Sequence, residues 1–425
     1  MSRILLDRRS FLGLTAGGLL LPRIGRAATG VERKFLFVFC KGGWDTTKVF
    51  APQFGSELVA MQPDDEPATA HGLAWCASPN RPNVSTFFDT YGGRCAILNG
   101  MEVRSITHER CLRISLTGSS ETGRDDWGAT IAGVSAETLL APHLVVVGSA
   151  FSDQYTSKVV RVGSNGQLPV LLDGTALTMS DTVLVPPAAA TSSRVDDFVS
   201  ARVAAYQGTA GAGRQSLYAQ QYATVLSQLD ALGGLSGSVN LTANMDGCNR
   251  DTAEDCAIAL SCFELGISRC AMVRNVGWCE YGWDTHSDNQ KQDIHYDQLF
   301  GYLSEVLADL DTRIATDGSP LRDHVTIVLM SEMGRTPTIN SAGGRDHWTY
   351  TSAMLIGAGV RGGQVIGGMD DDFYGRPIDL LGGAPDDDAG TRIVPGNLGA
   401  TLLAMADIDP VDQGILDEPI LAAME

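Results

Sequence analysis

Short apolar runs alternate with longer segments of helical periodicity along most of this chain. The apolar runs predict buried strands at 35–40, 95–98, 144–147, 271–276, 326–330 and 353–356. We place the end of the second strand at Asn99 and Gly100, a common turn pair. Helical periodicity predicts helices at 195–232, with a break near 208–213, and at 251–265, 290–313 and 397–407. Strands that alternate with helices predict an α/β fold with a central, mostly parallel sheet covered on both faces.

Two segments stand apart from this pattern. Residues from about 149 to 190 are rich in Ser, Thr, Gly and Pro, which predicts an irregular insertion that could add edge strands. The N-terminal segment has Arg8 and Arg9 ahead of a weakly apolar run that is shorter than the roughly 20 residues of a membrane span. This pattern predicts a twin-arginine signal peptide at 1–27, cleaved after Ala27. We therefore expect an extracytoplasmic, periplasmic protein that the twin-arginine machinery exports folded, with one α/β domain at 28–425 and no transmembrane segment.

Charge and cysteine content narrow the classes of function. The formal net charge is −19, and residues 1–27 hold five Arg and one Asp, or +4, so the remaining chain carries −23. Such an acidic protein does not bind nucleic acid or anionic lipid by bulk charge. The nine Cys form no CxxC motif. Because twin-arginine cargo folds in a reducing compartment, we expect mostly buried thiols, with Cys248–Cys256 the first pair to test as a disulfide.

Acidic and histidine side chains follow several of the predicted strands or close Gly-rich loops. The candidate metal ligands are Asp45, Asp284, His286, Glu332, Asp346 and His347. Because the carboxyl ends of parallel strands meet at one edge of a sheet, we expect these side chains to converge in one cavity. Carboxylate oxygen and imidazole nitrogen together suit a divalent metal ion.

Each candidate ligand also has a simpler interpretation. Asp45, in the sequence GGWD, could be a turn residue that caps the next segment. Asp284 and His286 could form an Asx-turn with a surface histidine. Glu332 directly follows an apolar strand, and a buried carboxylate there could pair with Arg335 without any metal.

A possible nucleophile lies in the segment SITHER. Thr107 or a nearby Ser could be a hydroxyl nucleophile, and we expect Thr107 rather than Ser105 or Ser119, with His108 beside it as a ligand or hydrogen-bond partner. Thr107 could equally cap the helix that follows. Arg335, with its planar guanidinium, is the expected partner of the equatorial oxygens of a bound ester.

Taken together, the motifs resemble the domain-of-unknown-function 1501 family. The resemblance rests on the twin-arginine start, GGWD, the TH…TG segment, GWDTHSDN and SEMGRTP…GGRDHW, in that order. This family is similar to the alkaline phosphatase and sulfatase superfamily, and the late segment NLGATLLAMADIDP is similar to the closing helix of sulfatase-like proteins. The resemblance implies an alkaline-phosphatase-like three-layer sandwich. The chain departs from the superfamily in its short Asp-x-His spacing and from the family's commoner RSHF in its SITHER segment.

The same resemblance implies specific roles and a function. Asp45 takes the place of the metal ligand after the first strand, and Thr107 that of the nucleophile. Asp284 and His286 would bind one ion, and Glu332 a second, with Asp346 and His347 completing the cluster. The ions could be zinc, manganese, calcium or magnesium. We expect an exported metal-dependent hydrolase of phosphate or sulfate esters, small or polymeric. The alternative is a non-catalytic cell-envelope protein that uses the same fold for binding or assembly.

Overall fold

The computed structural model describes residues 31–162, 189–209, 220–228, 252–278 and 282–425. The predicted signal peptide, most of the predicted insertion, Cys248 and Cys279 lie outside these ranges. Six other cysteines are buried free thiols, namely Cys40, Cys76, Cys95, Cys111, Cys262 and Cys270. Among the described residues, no helix combines the length and the apolar character that crossing a membrane would require.

An eight-stranded sheet forms the centre of the protein, with strand order β12-β4-β11-β8-β1-β7-β5-β6. Its strands are β1 Lys34–Cys40, β4 Cys95–Glu102, β5 His143–Val145, β6 Val159–Arg161, β7 Cys270–Asn275, β8 Val325–Met330, β11 Tyr350–Gly357 and β12 Gln364–Gly367. Strand β11 runs antiparallel to its neighbours β4 and β8, and the other seven strands share one direction. Two separate two-stranded antiparallel sheets accompany the central sheet: β2 Glu66–Ala70 with β3 Leu73–Ala77, and β9 Gly334–Arg335 with β10 His347–Trp348. The prediction of a mostly parallel central sheet is confirmed.

Helices cover both faces of the sheet. The described helices are α1 Pro82–Tyr91, α2 His108–Thr117, α3 Trp127–Gly133, α4 Ala189–Thr209, α5 at 220–228, α6 Thr252–Glu264, α7 Lys291–Leu310 and α8 Pro395–Met405. Apolar residues of α1, α6 and α7 belong to one buried cluster, and those of α2, α3 and α8 to another. The arrangement is therefore a three-layer α/β/α architecture.

Strand β1 explains why the sheet is apolar on both faces. All seven of its residues are buried, and it pairs with β7 on one side and β8 on the other. Leu36 and Val38 belong to the cluster beneath α1, α6 and α7, whereas Phe35 and Phe37 belong to the opposite cluster. Alternate side chains of a strand point to opposite faces, so a continuous apolar run is what a strand covered on both sides requires.

The second predicted strand ends later than its turn pair indicated. Strand β4 continues through Gly100 to Glu102, with a break in its register against β11 where Asn99 and Met101 flank Gly100. Gly100 has a φ of +81°, and a Cβ there would lie 2.6 Å from the carbonyl oxygen of Gly368. Gly100 therefore marks a β-bulge in a continuing strand rather than its end.

Other differences are in length and in short elements. The strand predicted at 144–147 is His143–Val145. The region predicted as a broken helix at 195–232 is helical wherever it is described, in α4 and α5. The sequence patterns did not predict the hairpin β2–β3 or the helices α1 and α3, whereas a helix after Thr107 was one of the two alternatives considered there. Short amphipathic elements of this kind carry too few periodic positions to be distinguished from loops.

Candidate metal centre

The loops at one edge of the sheet bring the candidate side chains together. Strands β7, β1 and β8 are parallel neighbours, with Cys40 paired to Asn275 and Phe39 paired to Met330 at their carboxyl ends. The segments that follow these strands therefore leave the sheet side by side. The N-terminus of α2 and the start of β10 complete the same surface, because His108 and His347 contact Asp284, which follows β7.

Asp284 is the centre of a group of three histidines. Its Oδ1 lies 3.1 Å from His286 Nε2 and 3.2 Å from His347 Nε2. Its Oδ2 lies 3.2 Å from His108 Nε2. The Nε2 atoms of His286 and His347 are 2.9 Å apart. Ligand atoms of His108, Asp284 and His347 all lie within 4.8 Å of one another, so this trio is also a candidate metal-binding group.

The hydrogen bonds of the two loop histidines fix which ring nitrogen carries the proton. His347 Nδ1 lies 2.7 Å from the carbonyl oxygen of Ile106, and His286 Nδ1 lies 2.9 Å from Asp346 Oδ1. Carbonyl and carboxylate oxygens accept hydrogen bonds, so both Nδ1 atoms must donate. In the neutral rings, both Nε2 atoms then present lone pairs to each other and to Asp284 Oδ1.

This triangle of electron-pair donors matches a metal site. Its edges are 2.9, 3.1 and 3.2 Å. The edge of a tetrahedron with metal–ligand bonds of about 2.0–2.1 Å is roughly 3.3 Å long. Three acceptors at these separations repel one another unless a proton or a cation lies between them. The donor set therefore fits a divalent cation held by His286, His347 and Asp284.

His108 links the cluster to the buried carboxylate of Glu332. His108 Nδ1 lies 2.9 Å from Glu332 Oε1, which also accepts a 2.8 Å hydrogen bond from the backbone N–H of Gly42. Glu332 therefore pairs with His108 and not with Arg335, the partner considered for it from the sequence. Hydrogen bonds to Asp284 and then Glu332 raise the pKa of His108 to about 9, against the effect of its burial. Without a metal ion, His108 is protonated at neutral pH and donates to both carboxylates.

Arg335 is fully buried and holds Asp284 rather than facing the surface. Its Nη2 donates to Asp284 Oδ1 at 2.6 Å, its Nε to the carbonyl oxygen of Gly43 at 2.7 Å, and its Nη1 to that of Arg345 at 3.1 Å. Burial alone would raise the pKa of Asp284, but the hydrogen bond from His108, together with the hydrogen bond and charge of Arg335, lowers that pKa. The role expected for Arg335, toward the oxygens of an ester, is not supported by this geometry.

Asp45 makes its contacts away from this cluster. It is fully buried, and its Oδ1 accepts hydrogen bonds from the backbone and hydroxyl of Thr47. Its Oδ2 accepts a 2.7 Å bond from Asn289 and lies 3.3 Å from Arg345 Nε. Asp45 caps the 3₁₀ helix Thr46–Lys48, which is the simpler role considered for it. Burial would raise its pKa, but the charge of Arg345 and its other partners lower it.

Thr107 begins helix α2 but does not cap it with its side chain. It occupies the N-cap position in an extended conformation, and its hydroxyl makes no capping hydrogen bond. The residue is exposed, and its backbone N–H contacts Ser105 Oγ at 3.3 Å. The hydroxyl of Thr107 thus stands at the helix N-terminus directly before His108.

Close backbone contacts hold the loops of the cluster together. A Cβ on Gly42 would lie 2.7 Å from the backbone nitrogen of Asp284, and one on Gly344 would lie 2.1 Å from the carbonyl carbon of His286. Asn340, which the sequence reasoning missed, donates to the carbonyl oxygen of His286 and to Asp346 Oδ1, both at 3.0 Å. The carbonyl of Ile106 was also missed, since a backbone contact has no side-chain signature in a sequence.

Several solved structures are similar to this chain. The C-terminal periplasmic domain of EcEptC from Escherichia coli is 8% identical, with 91% of this chain and 86% of that chain covered and a TM-score of 0.38. The lipooligosaccharide phosphoethanolamine transferase A (EptA) from Neisseria meningitidis is 10% identical, with 95% and 60% covered and a TM-score of 0.37. The PsFucS1 sulfatase from Pseudoalteromonas sp. is 10% identical, with 93% and 73% covered and a TM-score of 0.34. Likeness at this level assigns no activity to the chain.

The family comparison is more specific. No curated protein matches the chain. The family described as "Protein of unknown function (DUF1501)" matches residues 32–410, a range that includes all the residues of the cluster around Asp284. The protein is therefore a member of the DUF1501 family.

Proposed function

We propose that this protein is an exported, metal-dependent hydrolase of phosphate or sulfate esters. The observation that carries the proposal is the meeting of His286 Nε2, His347 Nε2 and Asp284 Oδ1 within 3.2 Å of one another. Lone pairs brought this close repel one another unless a proton or a cation lies among them, and a divalent cation can engage all three at once. A group of this kind at the carboxyl edge of a mostly parallel sheet lies where α/β proteins place their sites.

The donor set favours particular residues and ions. His286, His347 and Asp284 would hold one cation, and two imidazoles with one carboxylate suit zinc or manganese better than calcium. Asp346 accepts from His286 Nδ1 and thereby orients that ring, a common role for a carboxylate beside a metal-binding histidine. Glu332 and His108, paired at 2.9 Å, are the proposed ligands of a second ion. Asp45, held by Thr47, Asn289 and Arg345, is left out of the ligand set.

The surroundings of the cluster suit an anionic ester. A bound cation would supply positive charge to oppose the ester's oxygens. The N-terminus of α2 adds the partial positive charge of its free N–H groups, which favours an anion near Thr107. In the proposed reaction the Thr107 oxygen bonds to phosphorus or sulfur as the bond to the alcohol oxygen breaks, and the alcohol leaves with a proton. Water then cleaves the Thr107 ester and regenerates the hydroxyl.

A metal analysis combined with a turnover screen tests this proposal. Purified protein would be loaded separately with Zn²⁺ and Mn²⁺, and turnover measured on aryl phosphates and aryl sulfates. We expect turnover that Asp284→Ala abolishes together with metal binding. We expect Thr107→Ala to retain metal but lose turnover, with Ser105→Ala as the matched hydroxyl control. Full activity of Thr107→Ala would instead make water the nucleophile. Bound metal without turnover of any ester would replace the hydrolase with the non-catalytic binding or assembly role.

Export has its own test. The twin-arginine pair Arg8 and Arg9 supports a periplasmic location for the mature chain. Replacing both with Lys should keep the charge of the segment but retain the protein in the cytoplasm. Cell fractionation with antibody detection measures the outcome. Unchanged export of the double variant would contradict the twin-arginine route.

A further inference from the structure

Two buried carbonyl groups behind the cluster are each bound by the same two side chains. The carbonyl oxygen of Gly43 accepts from Arg335 Nε at 2.7 Å and from Gln292 Nε2 at 3.3 Å. The carbonyl oxygen of Trp283 accepts from Arg335 Nη2 at 3.2 Å and from Gln292 Nε2 at 2.9 Å. Gly43 follows β1 and Trp283 follows β7, so these two side chains clamp two separate loops together.

Gln292 uses the rest of its amide on the same two loops. Its Oε1 accepts the backbone N–H of Asp45 at 2.8 Å, and its Nε2 also reaches the hydroxyl of Thr285 at 3.1 Å. The side chain is fully buried, in the first turn of α7. An amide offers two donors and one oxygen, so Gln292 has little bonding capacity left for other partners. In the loop after β7, Gln292 contacts Trp283 and Thr285, the two residues on either side of Asp284.

We propose that Gln292 is a positioning residue for the metal ligand Asp284. Arg335 donates to Asp284 Oδ1 and to the carbonyl of Trp283 with the same nitrogen, so the position of this backbone sets the position of the carboxylate. Gln292 fixes that backbone from the other side and contacts none of His108, His286 or His347 among its described hydrogen bonds. The inference rests on the proposed function only in that the cluster binds a cation.

Metal affinity separates a positioning role from a merely structural one. Gln292→Met keeps the length of the side chain and removes every hydrogen bond. Gln292→Glu keeps the acceptor for Asp45 and removes the donors. Gln290→Met, an exposed site next to the same helix, is the matched control. Each variant would be titrated with Zn²⁺ alone, well below its own Tm, after circular dichroism has verified its fold.

We expect both Gln292 variants to bind Zn²⁺ about 10–100-fold more weakly, as for other residues that orient metal ligands. The control should stay within twofold of the parent protein. A Gln292→Glu protein that has a lower Tm but unchanged Zn²⁺ affinity would overturn the proposal, since its role would then be structural only.

A metal-free measurement keeps the inference independent of the hydrolase. In EDTA, amide hydrogen exchange would be followed in peptides that cover residues 42–48 and 282–290. We expect Gln292→Glu to speed exchange in both segments together, because the amide joins them. If the parent protein binds no metal, the proposed function fails, and faster exchange in both segments still supports the clamp. Unchanged exchange in both segments would overturn it.

Discussion

Protonation of His295 should destabilise the protein in mild acid. This histidine lies in α7, is 1% exposed, and packs against Trp283 with the ring centroids 5.2 Å apart. Its Nδ1 accepts a 2.7 Å hydrogen bond from the backbone N–H of Trp278, which requires a nitrogen without a proton. Because Trp283 directly precedes Asp284, the neutral ring supports the wall behind the candidate metal centre.

The direction and size of the effect follow from the pKa of His295. Burial lowers that pKa to about 4; the backbone of Gly282 opposes the decrease, Lys291 adds to it and Asp293 opposes it. In the unfolded chain the pKa of histidine is about 6.5, so between these values the unfolded state binds more protons. The stabilisation that neutral His295 provides is fully present above about pH 6.5 and is lost as the pH falls from about 6.5 to about 4. At 1.36 kcal/mol for each pKa unit, the loss is about 2 kcal/mol at pH 5 and approaches 3 kcal/mol near pH 4.

Urea unfolding measured at several pH values tests this prediction. The free energy of unfolding would be determined in EDTA at pH 7.5 and at pH 5 for the parent protein and for His295→Gln. The glutamine oxygen can accept the Trp278 N–H but does not titrate. We expect the pH-dependent loss of stability to be smaller in the variant by about 2 kcal/mol. The exposed His71 provides a control: it has a φ of +54°, which asparagine tolerates, so His71→Asn should keep the pH dependence of the parent.

The free energy of unfolding lost between pH 7.5 and pH 5 is compared for the parent protein and the variant. If His295→Gln and the parent lose the same free energy between pH 7.5 and pH 5, His295 is not the buried neutral group that senses acid. A variant that is less stable at both pH values but loses less free energy between them would support the argument, since the substitution can cost packing while removing this titration.

Two further substitutions test the geometry of the loops. Gly344→Ala should weaken Zn²⁺ binding at least tenfold, because the new Cβ would lie 2.1 Å from the carbonyl carbon of His286; isothermal titration measures it. Gly55→Ala, at an exposed glycine with open space around it, is the control, and equal affinities for the two variants would contradict the steric argument. Asp45→Asn should lower the free energy of unfolding by about 3 kcal/mol, because it leaves the buried Arg345 without its charged partner. The same variant should keep the metal stoichiometry of the parent, and loss of bound metal in elemental analysis would return Asp45 to the ligand set.

The sheet and the loops that meet at its edge were predictable from local patterns. Strand β1 is a continuous apolar run because it is covered on both faces, and such runs are visible in a sequence. The carboxyl ends of parallel strands meet at one edge of a sheet, Glu332 comes just after β8, and Asp284 lies in the segment that follows β7. Residues far apart in the chain were therefore expected together for a physical reason that does not depend on any single motif.

The roles of Asp45 and Arg335 could not be assigned in the same way. Both follow strands that end at the correct edge, so position alone makes them candidates for the site. What separates them from Asp284 is burial and the supply of nearby partners: both are fully buried, whereas the Asp284 side chain is 41% exposed. A sequence indicates which side chains follow strands to the edge of the sheet. It does not show which groups bond them there, because those come from distant loops, as Asn289 does for Asp45.

The arrangement behind the cluster suggests why the motifs combine glycine, arginine and acid. Gly42 and Gly43 leave the β1 loop close enough to β7 that its carbonyl groups can share donors with that of Trp283. Arg335 is the side chain that spans these carbonyls, because its guanidinium presents five donors in one plane. Its Nη2 also donates to Asp284 at 2.6 Å, and this bond adds to that from His108 in lowering the pKa of the carboxylate. On this reasoning, the glycines and the arginine of the motifs shape the position and charge of one proposed metal ligand, while the histidines complete the proposed set of donors.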